Sequence, residues 1–155
     1  MATTPTHTTD KHPAQYVALA IGAVYTLVGL VGFAVTGFDG FASPEGSSLL
    51  GFEINPLHNI VHLIIGGAGL ALWSRLDGTR MYGWLLAVGY GLTFVYGLLV
   101  TGTESQANFL ALNAADNWLL HLPSAIVGLA IALWVNKDMR NTTGTTTRTG
   151  RTTSV

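Results

Sequence analysis

Apolar residues in this chain come in four long runs separated by short polar intervals. Tyr16 to Thr36 and Met81 to Thr101 hold no charged residue, Pro56 to Trp73 none unless its histidines protonate, and Ala114 to Val135 only Asp116, near its start. Each run covers 18 or more residues, close to the roughly 20 that a helix needs to cross the apolar part of a bilayer. No polar face recurs along the runs at the helical period, as it would on helices packed at the surface of a soluble bundle. The pattern predicts an all-α membrane protein with four transmembrane helices, at about 16–36, 56–74, 81–101 and 114–135. The first run is a retained span rather than a secretory signal. Its apolar part exceeds the usual core of about 7–15 residues, and its basic flank is a single lysine.

The remaining stretches are polar. Residues 1–14 and 137–155 are rich in threonine and poor in apolar residues, too poor to order themselves by burial, so they are expected to be disordered tails. This leaves 15–136 as one four-helix transmembrane domain. Of the tail histidines His7 and His12, a solvated role is expected. The four spread cations after the last run make no strong patch for lipid headgroups. All seven Lys and Arg fall on one side of a four-span arrangement: Lys11, Arg75, Arg80, Lys137, Arg140, Arg148 and Arg151. The loops 37–53 and 102–113 carry none, only Asp39, Glu45, Glu53 and Glu104. The excess of positive residues in cytoplasmic segments then puts both termini in the cytoplasm and both long loops outside. On that side, the sequon at 141–143 should be inert.

The two halves repeat. Tyr25, Gly32, Val35, Thr36 and Gly37 recur at an offset of 65 as Tyr90, Gly97, Val100, Thr101 and Gly102. Asn55, His58 and Asn59 recur at an offset of 58 as Asn113, Asp116 and Asn117. The chain thus reads as two parallel-repeated helical hairpins, and parallel repeats put equivalent residues at the same membrane depth. Ala18, Gly22, Tyr25, Gly29, Gly32 and Thr36 line one helical face, repeated as Gly83, Ala87, Tyr90, Phe94, Gly97 and Thr101. Small residues at this spacing favour close helix packing in lipid over a pore lined by Tyr25 and Tyr90.

The second and fourth runs begin with polar clusters. In "NPLHNIVHL" Asn55 suits an N-cap and Pro56 the first helical turn. Asn55, His58, His62, Gly66, Gly69 and Trp73 then share one face, with His62 about 9 Å below the cap. An imidazole at that depth must face protein, water or a ligand. In "NAADNWLLHLPS" Asn113 or Asp116 can cap, and Asn117, His121 and Ser124 follow on one face. Pro123 removes a backbone hydrogen bond and predicts a kink. Ser124, beside that proline, reads as a bonder of its own backbone.

These two motifs, in a chain of this length with four spans, resemble an uncharacterised family of bacterial membrane proteins catalogued as a domain of unknown function and frequent in actinobacteria. The likeness covers roughly residues 14 to 135. It implies a four-helix protein of the bacterial cell (inner) membrane and carries over Asn55, Pro56, His58, Asn59, His62, Asp116, Asn117 and His121, with no activity, substrate or cofactor. The family pattern of the second motif is N-x-L-H-L, whereas "NWLLHL" has one residue more. A single extra residue in a helix is commonly absorbed as a π-turn; otherwise His121 is rotated by about 100°.

Three chemistries compete for the clusters. In the first, Asn55, Asn59, Asn113 and Asn117 form a structural polar cluster with the histidines that caps and joins helices. In the second, His58, His62, His121 and Asp116 hold a divalent metal, or His62 and His121 are axial ligands of a haem. In the third, the same histidines and Asp116 sense pH, bind a small ligand from the outside or serve transport, although the inner halves of the spans lack ionisable residues to continue a path. With no cysteine, thiolate chemistry is excluded. No motif of a common enzyme class is present, and no basic patch suits nucleic acid. The partner expected is the lipid bilayer, with homo-oligomer contacts through Gly/Ala faces a further candidate.

Overall fold

Pro13 opens the first helix, α1 (Pro13–Thr36), in the computed structural model, which describes residues 10–102 and 106–149, with side chains through Arg140. His7, Glu104, Arg151 and the side chain of Arg148 lie outside the described residues. A loop carrying a two-stranded hairpin, β1 (Ser47–Leu49) with β2 (Phe52–Ile54), leads to α2 (Pro56–Leu72). The hairpin turns at Leu50 and Gly51, both with positive φ, and pairs Ser47 with Ile54 and Leu49 with Phe52. A three-residue link joins α2 to α3 (Leu76–Val100). The last helical segment is built in three pieces: α4 (Ala114–Asp116), a π-turn (Asn117–His121) and α5 (Leu122–Thr149).

Glycines decide how these helices pair. A Cβ on Gly22 would lie 2.9 Å from the Gly69 carbonyl carbon, and one on Gly29 would strike Leu63, so α1 and α2 touch along their backbones. A Cβ on Gly83 would lie 2.8 Å from the Ala132 nitrogen, so α3 and α5 do the same. Close approach of this kind gains dispersion contacts that lipid cannot supply. The two pairs meet across a core of Ala18, Tyr82, Leu86 and Tyr90, with Tyr25, Ile65 and Ala125 packed against it. The outward faces are apolar and exposed, Leu27 and Leu30 on α1, Val88 and Leu92 on α3, Ile126 and Leu133 on α5 among them.

This mostly helical protein has three helices long and apolar enough to cross a membrane, Pro13–Thr36, Leu76–Val100 and Ala114–Arg140. The fourth, α2, is apolar but shorter, with 17 residues.

Charge separates the two ends. Lys11 Nζ donates to the Ser74 carbonyl at 2.6 Å, Gln15 Nε2 to the Trp73 carbonyl at 2.9 Å, and Arg80 Nη1 to Asn136 Oδ1 at 3.4 Å. Lys11, Arg75, Arg80, Lys137 and Arg140, every cation with a described side chain, are thereby gathered at one end. Asp39, Glu45, Glu53 and Asp116 belong to the other.

Two stretches read as tail are structured. His12 caps α1: its Nδ1 accepts from Ala14 N–H at 3.1 Å, and Gln15 Oε1 accepts from His12 N–H in return. Its Nε2 then donates to Asp138 Oδ2 at 2.8 Å, and its ring meets Trp134 edge-on. The expectation that His12 is merely solvated is therefore corrected. The last helix also continues past 137 to Thr149. Its turn at Asp138 and Met139 is held by His12 and by packing of Met139 on the cluster of Ala14, Ile131 and Val135; His12 and Ala14 belong to a segment far away in sequence, which local composition does not register.

Candidate functional site

The polar starts of α2 and α4 are fixed by asparagines. Asn55 Oδ1 accepts from His58 N–H at 2.9 Å, while its Nδ2 donates to the carbonyls of Ser43 and Phe109, both at 2.9 Å. One side chain thus caps α2 and ties both long loops to it. Asn113 Oδ1 accepts from Asp116 N–H at 2.9 Å, and its Nδ2 donates to the Gly51 carbonyl at the hairpin turn at 3.0 Å. The carboxylate of Asp116 accepts from Asn113 N–H at 3.2 Å, closing a capping box. Asn108, which the sequence did not single out, holds the second loop by paired bonds to the backbone of Leu112 at 2.9 Å.

One turn deeper, Asn59 and Asn117 occupy matching places. Each is wholly buried, and each fills the space that a Cβ on Gly32 or on Gly97 would need. Asn59 Nδ2 donates to Thr36 Oγ1 at 2.9 Å and Asn117 Nδ2 to the Phe94 carbonyl at 3.1 Å, so each asparagine ties its helix to the partner within the pair.

Below them five rings form a closed circuit. His62 meets Tyr25 with centroids 5.4 Å apart, Tyr25 stacks on Tyr90 at 5.3 Å, and Tyr90 stacks on His121 at 5.6 Å. His121 lies 5.9 Å from His58, which lies 4.5 Å from His62. Four helical segments contribute, and both pairs are represented. Tyr25 pairs with His62 as Tyr90 pairs with His121, while His58 closes the circuit alone. Its counterpart, Asp116, is engaged in the capping box instead.

The partners of the three imidazoles differ. The π-turn brings His121 Nδ1 within 3.2 Å of Asn117 Oδ1, to which it donates. Among the described residues, His58 Nδ1, His62 Nδ1 and Asn59 Oδ1 are buried with no hydrogen-bond partner, although the His58 ring lies near the backbone of Glu53 and Leu110. Tyr25 hydroxyl and Ser124 Oγ are 2.6 Å apart, so Ser124 bonds across the bundle rather than to its own backbone. Tyr82, whose buried hydroxyl also lacks a partner, continues the interior toward the basic end. Nothing in linear spacing could link Tyr25 to Ser124 or to Tyr90, since these contacts run between helices. The recurrence of the Tyr25 segment at an offset of 65, around Tyr90, was the available signal.

The histidine rings meet one another tilted, with interplanar angles of 42° and 44° about His58. Metal ligands instead aim nitrogen lone pairs at one point. Among the described residues no group of three His, Asp or Glu side chains is arranged to hold a metal ion.

The model of a family described as "Domain of unknown function (DUF4383)" matches residues 15–134. No curated protein and no solved structure matches the chain.

Proposed function

The chain belongs to that family, whose description assigns no activity, and from the site we propose that it is a four-span protein of the bacterial cell membrane that holds a small hydrogen-bonding ligand among His58, His62 and His121. One observation carries this reading: the Nδ1 atoms of His58 and His62 are buried without a hydrogen-bond partner among the described residues. Leaving such an atom unsatisfied costs about 1–3 kcal/mol. A polar cluster that served only to join helices would close on itself, as Asn55, Asn113 and Asn117 do. The guest is small because the five rings already touch; a water, an ammonium ion or a simple amine fits the chemistry of imidazole nitrogen, whereas a porphyrin has no place between them. A single metal ion is the second reading, favoured by three imidazoles within ring contact and requiring those rings to turn.

The architecture belongs to the same proposal. α2 runs antiparallel to α1 between the same two ends, which supports counting it as the fourth span. Matched contacts support two parallel-repeated hairpins: Gly32 with Asn59 as Gly97 with Asn117, and Gly69 with Gly22 as Gly128 with Ala87. The gathering of cations at one end supports cytoplasmic termini and an outward-facing histidine cluster.

Thermal unfolding of the purified protein in detergent tests the ligand. Ammonium, methylamine, zinc and copper are titrated in turn, and a ligand present at 100 times its Kd adds about 2.7 kcal/mol to stability. The wild type is expected to respond to one of these, and the His58→Leu/His62→Leu variant to none. If no probe moves the wild-type midpoint and that variant unfolds at a higher temperature, the histidines serve packing alone.

A further inference from the structure

At the basic end a cavity of about 530 Å³ lies between the last turn of α2 and the first turns of α3. Its mouth is lined by Arg75, Asp77 and Arg80 and its wall by Leu72, Met81 and Trp84. Neither guanidinium is saturated. Among the described residues the only ion pair of Arg75 is with Asp77 Oδ2 at 3.8 Å, and the two side chains are 82% and 60% exposed, so that pair contributes little. Among the described residues Arg80 makes one long bond, to Asn136 at 3.4 Å. Each guanidinium offers five N–H donors in a fork that matches phosphate oxygens.

The cavity also changes character with depth. Trp84 lies four residues beyond Arg80 on the same helix, about 6 Å further along the axis. Met81 and Trp84 are exposed on the apolar outer face of α3, and a tryptophan at this level suits the boundary between headgroups and hydrocarbon. Two cations, then an apolar wall open to the bilayer, follow one another in the order of phosphate and acyl chain in a phospholipid.

We propose that this cavity binds an anionic phospholipid, its phosphate on Arg75 and Arg80 and its acyl chains along Leu72, Met81 and Trp84. Charge complementarity selects the occupant. Only the Asp77 carboxylate opposes it, and a lipid comes from the surrounding bilayer at high local concentration. Lys137 and Arg140 stand at the same end without lining the cavity, which gives an internal control for diffuse attraction to a charged surface.

Native mass spectrometry of the full chain in nonionic detergent, titrated with phosphatidylglycerol or phosphatidylcholine, tests this site. Phosphatidylglycerol should bind more tightly. Arg75→Gln/Arg80→Gln should weaken it by about fivefold per arginine, the effect of roughly 1 kcal/mol per cation near a lipid phosphate. Lys137→Gln/Arg140→Gln should change it less than about twofold, and Asp77→Asn should tighten it. Arg75→Lys/Arg80→Lys, which keeps the charge and therefore the fold's charge balance, should weaken binding by an intermediate factor because the forked geometry is lost. Equal losses in the two glutamine pairs would overturn the site in favour of general surface attraction. Equal binding of phosphatidylcholine, or displacement of the lipid by equimolar inorganic phosphate, would overturn the assignment of the occupant.

Discussion

Gly32 and Gly97 show how a residue without a side chain determines the position of one that has a demanding side chain. Asn59 and Asn117 lie flat against these glycines, and a methyl group at either position would overlap the amide. The asparagines cannot retreat without breaking Asn59 Nδ2 to Thr36 or Asn117 Nδ2 to the Phe94 carbonyl. Gly32→Ala and Gly97→Ala are therefore each expected to destabilise the protein by about 1–3 kcal/mol, measured by thermal unfolding in detergent. Gly67 and Gly89 have open space where a Cβ would stand, so alanine there should be neutral or stabilising by about 0.5–1 kcal/mol. If all four substitutions behave alike, close packing at Gly32 and Gly97 is not what those glycines provide. The glycine stripe was legible because it recurs at helical spacing within one segment. The identity of what each glycine touches was not, because Asn59 lies on another helix and spacing carries no information between helices.

At the scale of elements, the π-turn at Asn117–His121 accounts for the one-residue mismatch between the halves of the sequence. In α2, Asn59 and His62 are three residues apart; in the last helix, Asn117 and His121 are four apart, and the wider turn absorbs the extra residue. His121 thereby stays in the ring circuit and gains Asn117 Oδ1 as a partner, which His62 lacks with respect to Asn59. The extra residue was visible in the sequence, and so was its most economical accommodation, because an insertion in a continuous helix has few other outlets. The hydrogen bond that it creates was not visible, since it depends on how far the turn opens. Deleting Leu119, which is 65% exposed, turns the motif into N-W-L-H-L. The variant should fold with an ordinary α-helix there and lose about 0.5–1.5 kcal/mol for the missing His121 to Asn117 bond, as read from denaturation in detergent. A loss several times larger would mean that the π-turn positions more than this one side chain.

For the molecule as a whole, charge and hydropathy are distributed along different directions. Apolar residues cover the sides of the helices, while every described Lys and Arg lies at one end, with Asp77 and Asp138 beside them, and the other end carries only carboxylates, Asp39, Glu45, Glu53 and Asp116. The apolar runs were legible in sequence because a lipid-facing helix needs no polar face. At the basic end the helices run past the apolar runs, because His12 bonds Asp138 and Met139 packs on the cluster containing Ala14, contacts between segments far apart in sequence. The proposed orientation rests on the gathering of cations at one end, and the chain suits a direct test because it has no cysteine of its own. Ser48, exposed in the hairpin of the acidic end, and Ser74, exposed in the link between α2 and α3 at the basic end, can each be replaced singly by cysteine. With cations facing the cytoplasm, Ser48→Cys should react with a membrane-impermeant maleimide in intact cells and Ser74→Cys only after lysis. The reverse pattern would turn the bundle over and put the histidine circuit nearest the cytoplasm, so that any ligand would arrive from inside. Labelling of both in intact cells would mean that α1 and α2 do not both cross the membrane, and the four-span reading would fall with them.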